Sequence, residues 1–223
     1  MTDLDFYTNI TQRGDSLLVR GIKNGKPHQT KVQCQPTIYL ENPNDYGWQT
    51  IDGKSLKPIM FDSIREMKDF AEQHKGSNLR VYGMPNQAHM HILENHIDTV
   101  NNWEKEKIRI FNIDIEVTST EGFPLPGDAA YPVTAICLHD SVLDKFIVFG
   151  DNKWDPSNSE LPQEILDKTK YIRCSDETQL VSKFLQYWTT FPPDIVTGWN
   201  VEMFDIPYLV NRIDRIGLDS KKL

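Results

Sequence analysis

One nine-residue segment constrains this chain more than any other. In Arg109-Ile110-Phe111-Asn112-Ile113-Asp114-Ile115-Glu116-Val117, polar and apolar residues alternate. Residues i and i+2 of a strand share a face. Asn112, Asp114 and Glu116 therefore line one side of a strand that otherwise reads as buried. Phe111, Ile113, Ile115 and Val117 line the other. Two neighbouring carboxylates repel, and burial raises that cost. A cation between them resolves the conflict, and carboxylate oxygens suit a hard divalent ion such as Mg2+ or Mn2+. On the solvated face of an antiparallel sheet the same triplet would carry no chemistry, so a second segment has to decide.

That segment runs from Asp194 to Arg212. A short apolar strand, Ile195 to Val196, leads into a turn signal at Gly198. A helix is expected from about Phe204, with Asp205 as N-cap or first-turn residue and Pro207 in the first turn, where its missing N–H costs little. Leu209, Val210 and Ile213 form the apolar stripe, and Gly217 is the stop. Asp205 could simply cap its helix, and Asn200 could simply close a turn.

Together the two segments resemble the exonuclease domain of family B DNA polymerases, in particular those of T4-like bacteriophages. Phe111-Asn112-Ile113-Asp114-Ile115-Glu116 is similar to that family's first exonuclease motif. Gly198-Trp199-Asn200 through Phe204-Asp205-Ile206-Pro207-Tyr208 is similar to the second, with Asn200, Phe204 and Asp205 at its Asn-x-x-x-Phe/Tyr-Asp spacing. The likeness runs along essentially the whole chain, including Asp5-Phe6-Tyr7 and Tyr82-Gly83. It implies an RNase H-like fold and removal of mismatched 3′-terminal nucleotides, which is proofreading. The chemistry implied is two-metal phosphodiester hydrolysis with two Mg2+ or Mn2+ ions. Asp114 would bridge both ions, Glu116 would hold one and help orient the attacking water, and Asp205 would lie near the second. Asn200 and Phe204 would contact or shape the bound single-stranded primer end.

One departure matters. The family's third motif, Tyr-x-x-x-Asp, supplies a water-orienting Tyr and a further metal-binding Asp. This chain reaches Leu223 before any such motif, and Tyr208 has Arg212 four residues on. The resemblance covers only the front of a longer polymerase. The expectation is a fragment, a split-gene half or a truncated product. Alone it would be a weak or inactive exonuclease, needing the remaining polymerase polypeptide as partner. The alternative is a non-catalytic module that binds single-stranded nucleic acid or docks the other half of a split polymerase.

Composition bounds what remains. At 223 residues and net charge −8, bulk charge weighs against tight nucleic-acid binding, although Lys23, Lys26 and Lys31, or Lys105, Lys107 and Arg109, could act locally. Three cysteines without metal spacing fit a reducing compartment. No apolar run approaches a membrane span. The expected location is the cytoplasm, that of the infected host if the chain is phage-encoded.

The organisation expected is a mixed α+β N-terminal unit over 1–105, followed by an incomplete RNase H-like α/β unit over 106–223. In the first, strands are expected over 15–22 and 32–40, with an Asn24-Gly25 hairpin signal. Asp62 should cap a helix bearing Ile64, Met67, Phe70 and Ala71, and 79–82 should be a strand. The resemblance associates this unit with RNA contact, whereas its aromatic residues read as core. His89 and His91 share a strand-like face near His96, as a metal trio or as a loop of solvated histidines. In the second unit, strands over 108–117, 133–138 and 145–149 precede a helix over 161–168. A further helix carries Leu180, Val181, Phe184, Leu185 and Trp188 behind an Asp176/Gln179 capping box.

Overall fold

A computed structural model describes residues 4–84, 86–99, 102–120 and 122–223. The chain divides into two compact units, Met1–Glu104 and Lys105–Leu223.

The first unit holds two antiparallel sheets. Strands β1 (Phe6–Arg13), β2 (Ser16–Lys23) and β3 (Lys26–Gln33) form a three-stranded meander. Asn24 and Gly25 turn β2 into β3 with φ of 51° and 72°, the left-handed pair that a two-residue hairpin requires. Strands β4 (Thr37–Glu41), β5 (Trp48–Gln49), β6 (Ser55–Met60) and β7 (Val81–Tyr82) form the second sheet in the order β5-β6-β4-β7. Helices α1 (Ile64–Gln73) and α2 (Gln87–Asn95) complete the unit. Leu17, Val19, Ile38, Phe61, Ile64 and Met67 belong to its largest buried cluster.

Several expectations for this unit are corrected. The strand expected over 32–40 is two strands in different sheets, because Pro36 lacks an N–H to continue a ladder. The strand expected over 79–82 narrows to Val81–Tyr82. Ser63, not Asp62, caps α1: its Oγ accepts the Glu66 N–H at 3.1 Å, while the Asp62 N–H reaches back to Glu66 Oε2 at 3.1 Å. His89 and His91 lie on α2 behind an Asn86 cap, where residues two apart face different directions. His91 is half-buried and His96 fully buried, so neither belongs to a solvated loop. Phe6, Tyr39 and Phe61 are core, but Tyr46, Trp48 and Trp103 are exposed.

The second unit is a five-stranded mixed sheet with helices. Strands β8 (Ile110–Val117), β9 (Val133–Asp140) and β10 (Lys145–Gly150) run antiparallel in succession. Helix α3 (Gln163–Lys168) leads into β11 (Thr169–Arg173), parallel to β10. Helix α4 (Glu177–Thr190) then leads to β12 (Ile195–Thr197), parallel to β8, and α5 (Asp205–Arg215) follows. The sheet order is β11-β10-β9-β8-β12.

The apolar face of β8 (Phe111, Ile113 and Ile115) packs with Ile136, Leu138, Ile147 and Phe149 under α4 and α5. Leu180, Val181, Phe184, Leu185 and Trp188 of α4 are all buried, as the stripe predicts. Asp176 Oδ1 accepts the Gln179 N–H at 2.9 Å, and Gln179 returns a bond to the Ser175 N–H. In this unit sequence reasoning missed β11, as it missed β1, β5 and β6 in the first: this edge strand carries Lys170 and Arg173, which mask its pattern. Among the described residues, no helix is long and apolar enough to cross a membrane.

Candidate active site

Strand β8 keeps its alternation in three dimensions. Phe111, Ile113 and Ile115 are buried, while Asn112, Asp114 and Glu116 are exposed. The expected burial of the carboxylate pair is therefore corrected, because the face opposite α4 and α5 is open there. Across β9 the facing residues are His139, Cys137 and Ala135. Burial, and after it the nearby charge of Asp114, pushes the Cys137 thiol up, so it stays protonated.

The buried acid is Asp205. Strand β12 pairs with β8 only as far as Thr197 opposite Asn112. Beyond that point the backbone turns at Gly198, so close to the Ile113 carbonyl oxygen that a Cβ would collide with it. The next inward step of β8 leaves the Ile115 N–H without a strand partner, and Asp205 Oδ1 accepts it at 3.1 Å. Asp205 is 2% exposed, in the first turn of α5. It does not cap α5: the preceding Phe204 occupies the cap position without a side-chain bond. Burial raises its pKa most. The Ile115 and Asp205 amides oppose that rise, and the charge of Asp114 adds to it.

The connecting turn is tightly built. Asn200 adopts φ 61°, and its carbonyl accepts the N–H groups of Met203 (3.0 Å) and Phe204 (2.8 Å). This geometry leaves Trp199 92% exposed and Met203 well exposed, and it half-buries Phe204. The Phe204 ring packs on Phe123 with centroids 5.1 Å apart and on Tyr208 at 5.5 Å. Phe123 and Leu125 are exposed on the loop that follows β8. Sequence reasoning did not single out Phe123, Trp199 or Met203 as exposed apolar residues. Their only signal was an apolar side chain in a non-periodic, glycine- and proline-containing stretch.

The structure brings Asp205 to the amide between Asp114 and Glu116, and sets Asn200 and Phe204 in the turn beside them. Among the described residues, no group of three or more His, Cys, Asp or Glu side chains is gathered closely enough to cage an ion. The donor chemistry nonetheless fits one. The groups offer only carboxylate oxygen, and a cation would offset the repulsion between Asp114 and Asp205. Of the basic candidates, Arg109 is not a free cation: its guanidinium pairs with the fully buried Asp140 and lies over the Phe191 ring.

The chain matches known proteins over most of its length. The model of the family "DNA polymerase family B, exonuclease domain" matches residues 37–223. The DNA-directed DNA polymerase of Escherichia phage RB69 is 32% identical over 95% of this chain and 26% of its own length. That of Enterobacteria phage T4 is 30% identical over 95% of this chain and 25% of its own length. The DNA polymerase delta catalytic subunit of Drosophila melanogaster is 32% identical over 49% of this chain and 10% of its own length. The chain thus spans about a quarter of the length of the phage relatives. It belongs to family B of the DNA polymerases, as a member of their exonuclease-domain family.

Proposed function

We propose that this chain is the front portion of a phage replicative DNA polymerase, and that its second unit carries the 3′–5′ proofreading exonuclease on an RNase H-like sheet. Three successive antiparallel strands, with a later strand parallel to the first (β10-β9-β8-β12), support the fold reading. One observation carries the functional reading: Asp205, far away in sequence, accepts the amide hydrogen of Ile115, the residue between Asp114 and Glu116.

In this reading Asp114, Glu116 and Asp205 would hold two Mg2+ or Mn2+ ions. Bound divalent ions would neutralise the scissile phosphate and stabilise charge on the attacking and leaving oxygens. The protein's own part is placement. Asp114 and Glu116 project from one strand face with a spacing of about 7 Å, set by the strand rise. Asp205 is fixed by its bond to Ile115, so it presents the same oxygen in every turnover. Glu116 would help orient the attacking water. Phe204 and Phe123 offer ring faces to the terminal bases, a mode that tolerates any sequence. Asn200 contacts the strand from its left-handed turn. The substrate is a single-stranded primer 3′ end, met in the cytoplasm of an infected cell.

The test is single-turnover degradation of a 5′-labelled single-stranded oligonucleotide with Mg2+ or Mn2+, comparing this chain with Asp114→Ala. Laddering from the 3′ end, weak in this chain alone and absent in the variant, supports the reading. Metal-independent binding without cleavage, unchanged in the variant, would replace it with a non-catalytic binding module.

A further inference from the structure

We propose that Arg212 and Glu177 form a positioning clamp for the 3′-end site, acting through the loop that carries Phe123. The inference rests on the exonuclease reading of that site. Arg212 is almost fully buried on α5, and each of its three side-chain nitrogens is engaged. Nε and Nη2 donate to the two oxygens of Glu177, each at 2.7 Å, while Nη1 donates to the carbonyls of Ala129 and Ala130, each at 3.0 Å. Glu177 Oε1 also accepts the Val133 N–H at 2.7 Å, tying the pair to the first residue of β9.

The carbonyls held by Arg212 belong to the loop between β8 and β9, which starts directly after Glu116 and Val117. Its ends are closed by the Thr118 N–H on the Pro132 carbonyl at 3.1 Å. Ala129 is buried at φ 40°, a conformation that a Cβ disfavours and that neighbouring bonds must enforce. Helix α5 grips the same loop elsewhere. Asn211 donates to the Pro126 carbonyl at 2.9 Å and Arg215 to the Asp128 carbonyl at 3.1 Å, and the Tyr208 hydroxyl donates to the Tyr131 carbonyl at 2.7 Å.

The consequence lies at the two free ends of this assembly. One end is Phe123, on the loop. The other is Phe204, which directly precedes α5. Their rings meet at 5.1 Å, next to the carboxylate strand. A loop free to shift against α5 would move one wall of that aromatic pair, and a misplaced terminal base loses reactive geometry. A bidentate guanidinium with two further donors in one plane suits the task. A lysine ammonium cannot reproduce that fork.

The experiment is a double-mutant cycle in EDTA, so that no cleavage contributes. The probe is a single-stranded oligonucleotide with 2-aminopurine as its 3′-terminal base, read by affinity and by fluorescence quenching on stacking. Wild type, Arg212→Lys, Phe123→Ala and the double variant are compared. Arg212→Lys should weaken binding about tenfold and lose quenching, and the double variant should be no worse than Phe123→Ala, because the two act through one contact. Wild-type affinity and quenching in Arg212→Lys, or single effects that multiply in the double variant, would overturn the clamp. If Arg212→Lys does not fold, the exposed Asn211→Ala takes its place in the same cycle with the same two readings. Absence of binding and quenching in wild type would overturn the reading of the site itself, leaving Arg212 as a folding element only.

Discussion

The Asp205 carboxylate accepts the Ile115 amide hydrogen at 3.1 Å, at the point where strand β8 has lost its neighbour β12. A side chain thus replaces a ladder bond, and the acid is fixed between Asp114 and Glu116. The two substitutions Asp205→Asn and Asp205→Ala should therefore separate. The amide oxygen of Asn can still accept the Ile115 N–H. Ala leaves that donor buried and unsatisfied, at a cost of about 1–3 kcal/mol. Urea unfolding should place the Asn variant near wild type and the Ala variant clearly below it. In the exonuclease reading both also lose the weak cleavage expected of this chain, by roughly a hundredfold or more. Equal stability of the two variants would sink the ladder-bond account.

The buried pair at the other end of β8 makes a second prediction. Asp140 is fully buried and accepts from Arg109, from the Tyr187 hydroxyl at 2.7 Å and from the Val142 N–H at 3.1 Å. Burial, then the bond to Asp140, raises the Tyr187 pKa strongly. Arg109→Met strands the Asp140 charge and should cost about 3–5 kcal/mol, the range for breaking a buried pair. Adding Asp140→Asn should recover part of that loss. A double variant as unstable as Arg109→Met, measured by urea unfolding, would contradict the assignment.

What was legible in the sequence followed short-range rules. Strand β8 announced itself through strict alternation, and α4 through its Asp176 cap and apolar stripe. The errors share a cause. Strand β11 is held by pairing with β10 rather than by its own pattern, so no local signal marks it. His89 and His91 fit a strand period, but the Asn86 cap sets a helix instead. The bond from Ile115 to Asp205 spans about ninety residues, and only the divergence of β12 creates the vacancy it fills. Phe123 belongs to the aromatic wall because Arg212 and Asn211 hold its loop, a relationship that spacing cannot express.

A pH dependence follows from the first unit. Burial lowers the pKa of both His91 and His96 from the ordinary 6.5, and His96 adds to the effect on His91. The folded unit therefore favours neutral rings. Above about pH 6.5 neither folded nor unfolded chain binds these protons, and the stability is complete. As pH falls below that value the unfolded chain takes up protons that the fold refuses, so stability declines until the folded-state pKa values are passed. Urea unfolding at pH 7.5 and 5.5 should show a smaller acid loss in His91→Gln/His96→Gln than in wild type. NMR titration should place both rings below the ordinary value. A ring titrating above 6.5 would reverse the sign.

The turn before α5 allows backbone and side-chain roles to be tested apart. Asn200 holds φ 61°, where Gly is unstrained and most side chains cost about 1–2 kcal/mol. Asn200→Gly preserves the turn and removes the side chain, whereas Asn200→Ala removes the side chain and strains the turn. If Asn200 contacts the primer strand, both variants should bind single-stranded DNA more weakly than wild type. Only Ala should also lower the urea midpoint. Binding lost in Ala but kept in Gly would mean that the turn, not the Asn200 amide, is what the site requires. Gly198→Ala is the control for the backbone itself. Its Cβ would strike the Ile113 carbonyl oxygen, which has no flexible end to move aside. Gly198→Ala should therefore displace the whole turn, lowering stability and DNA binding together by more than either Asn200 variant.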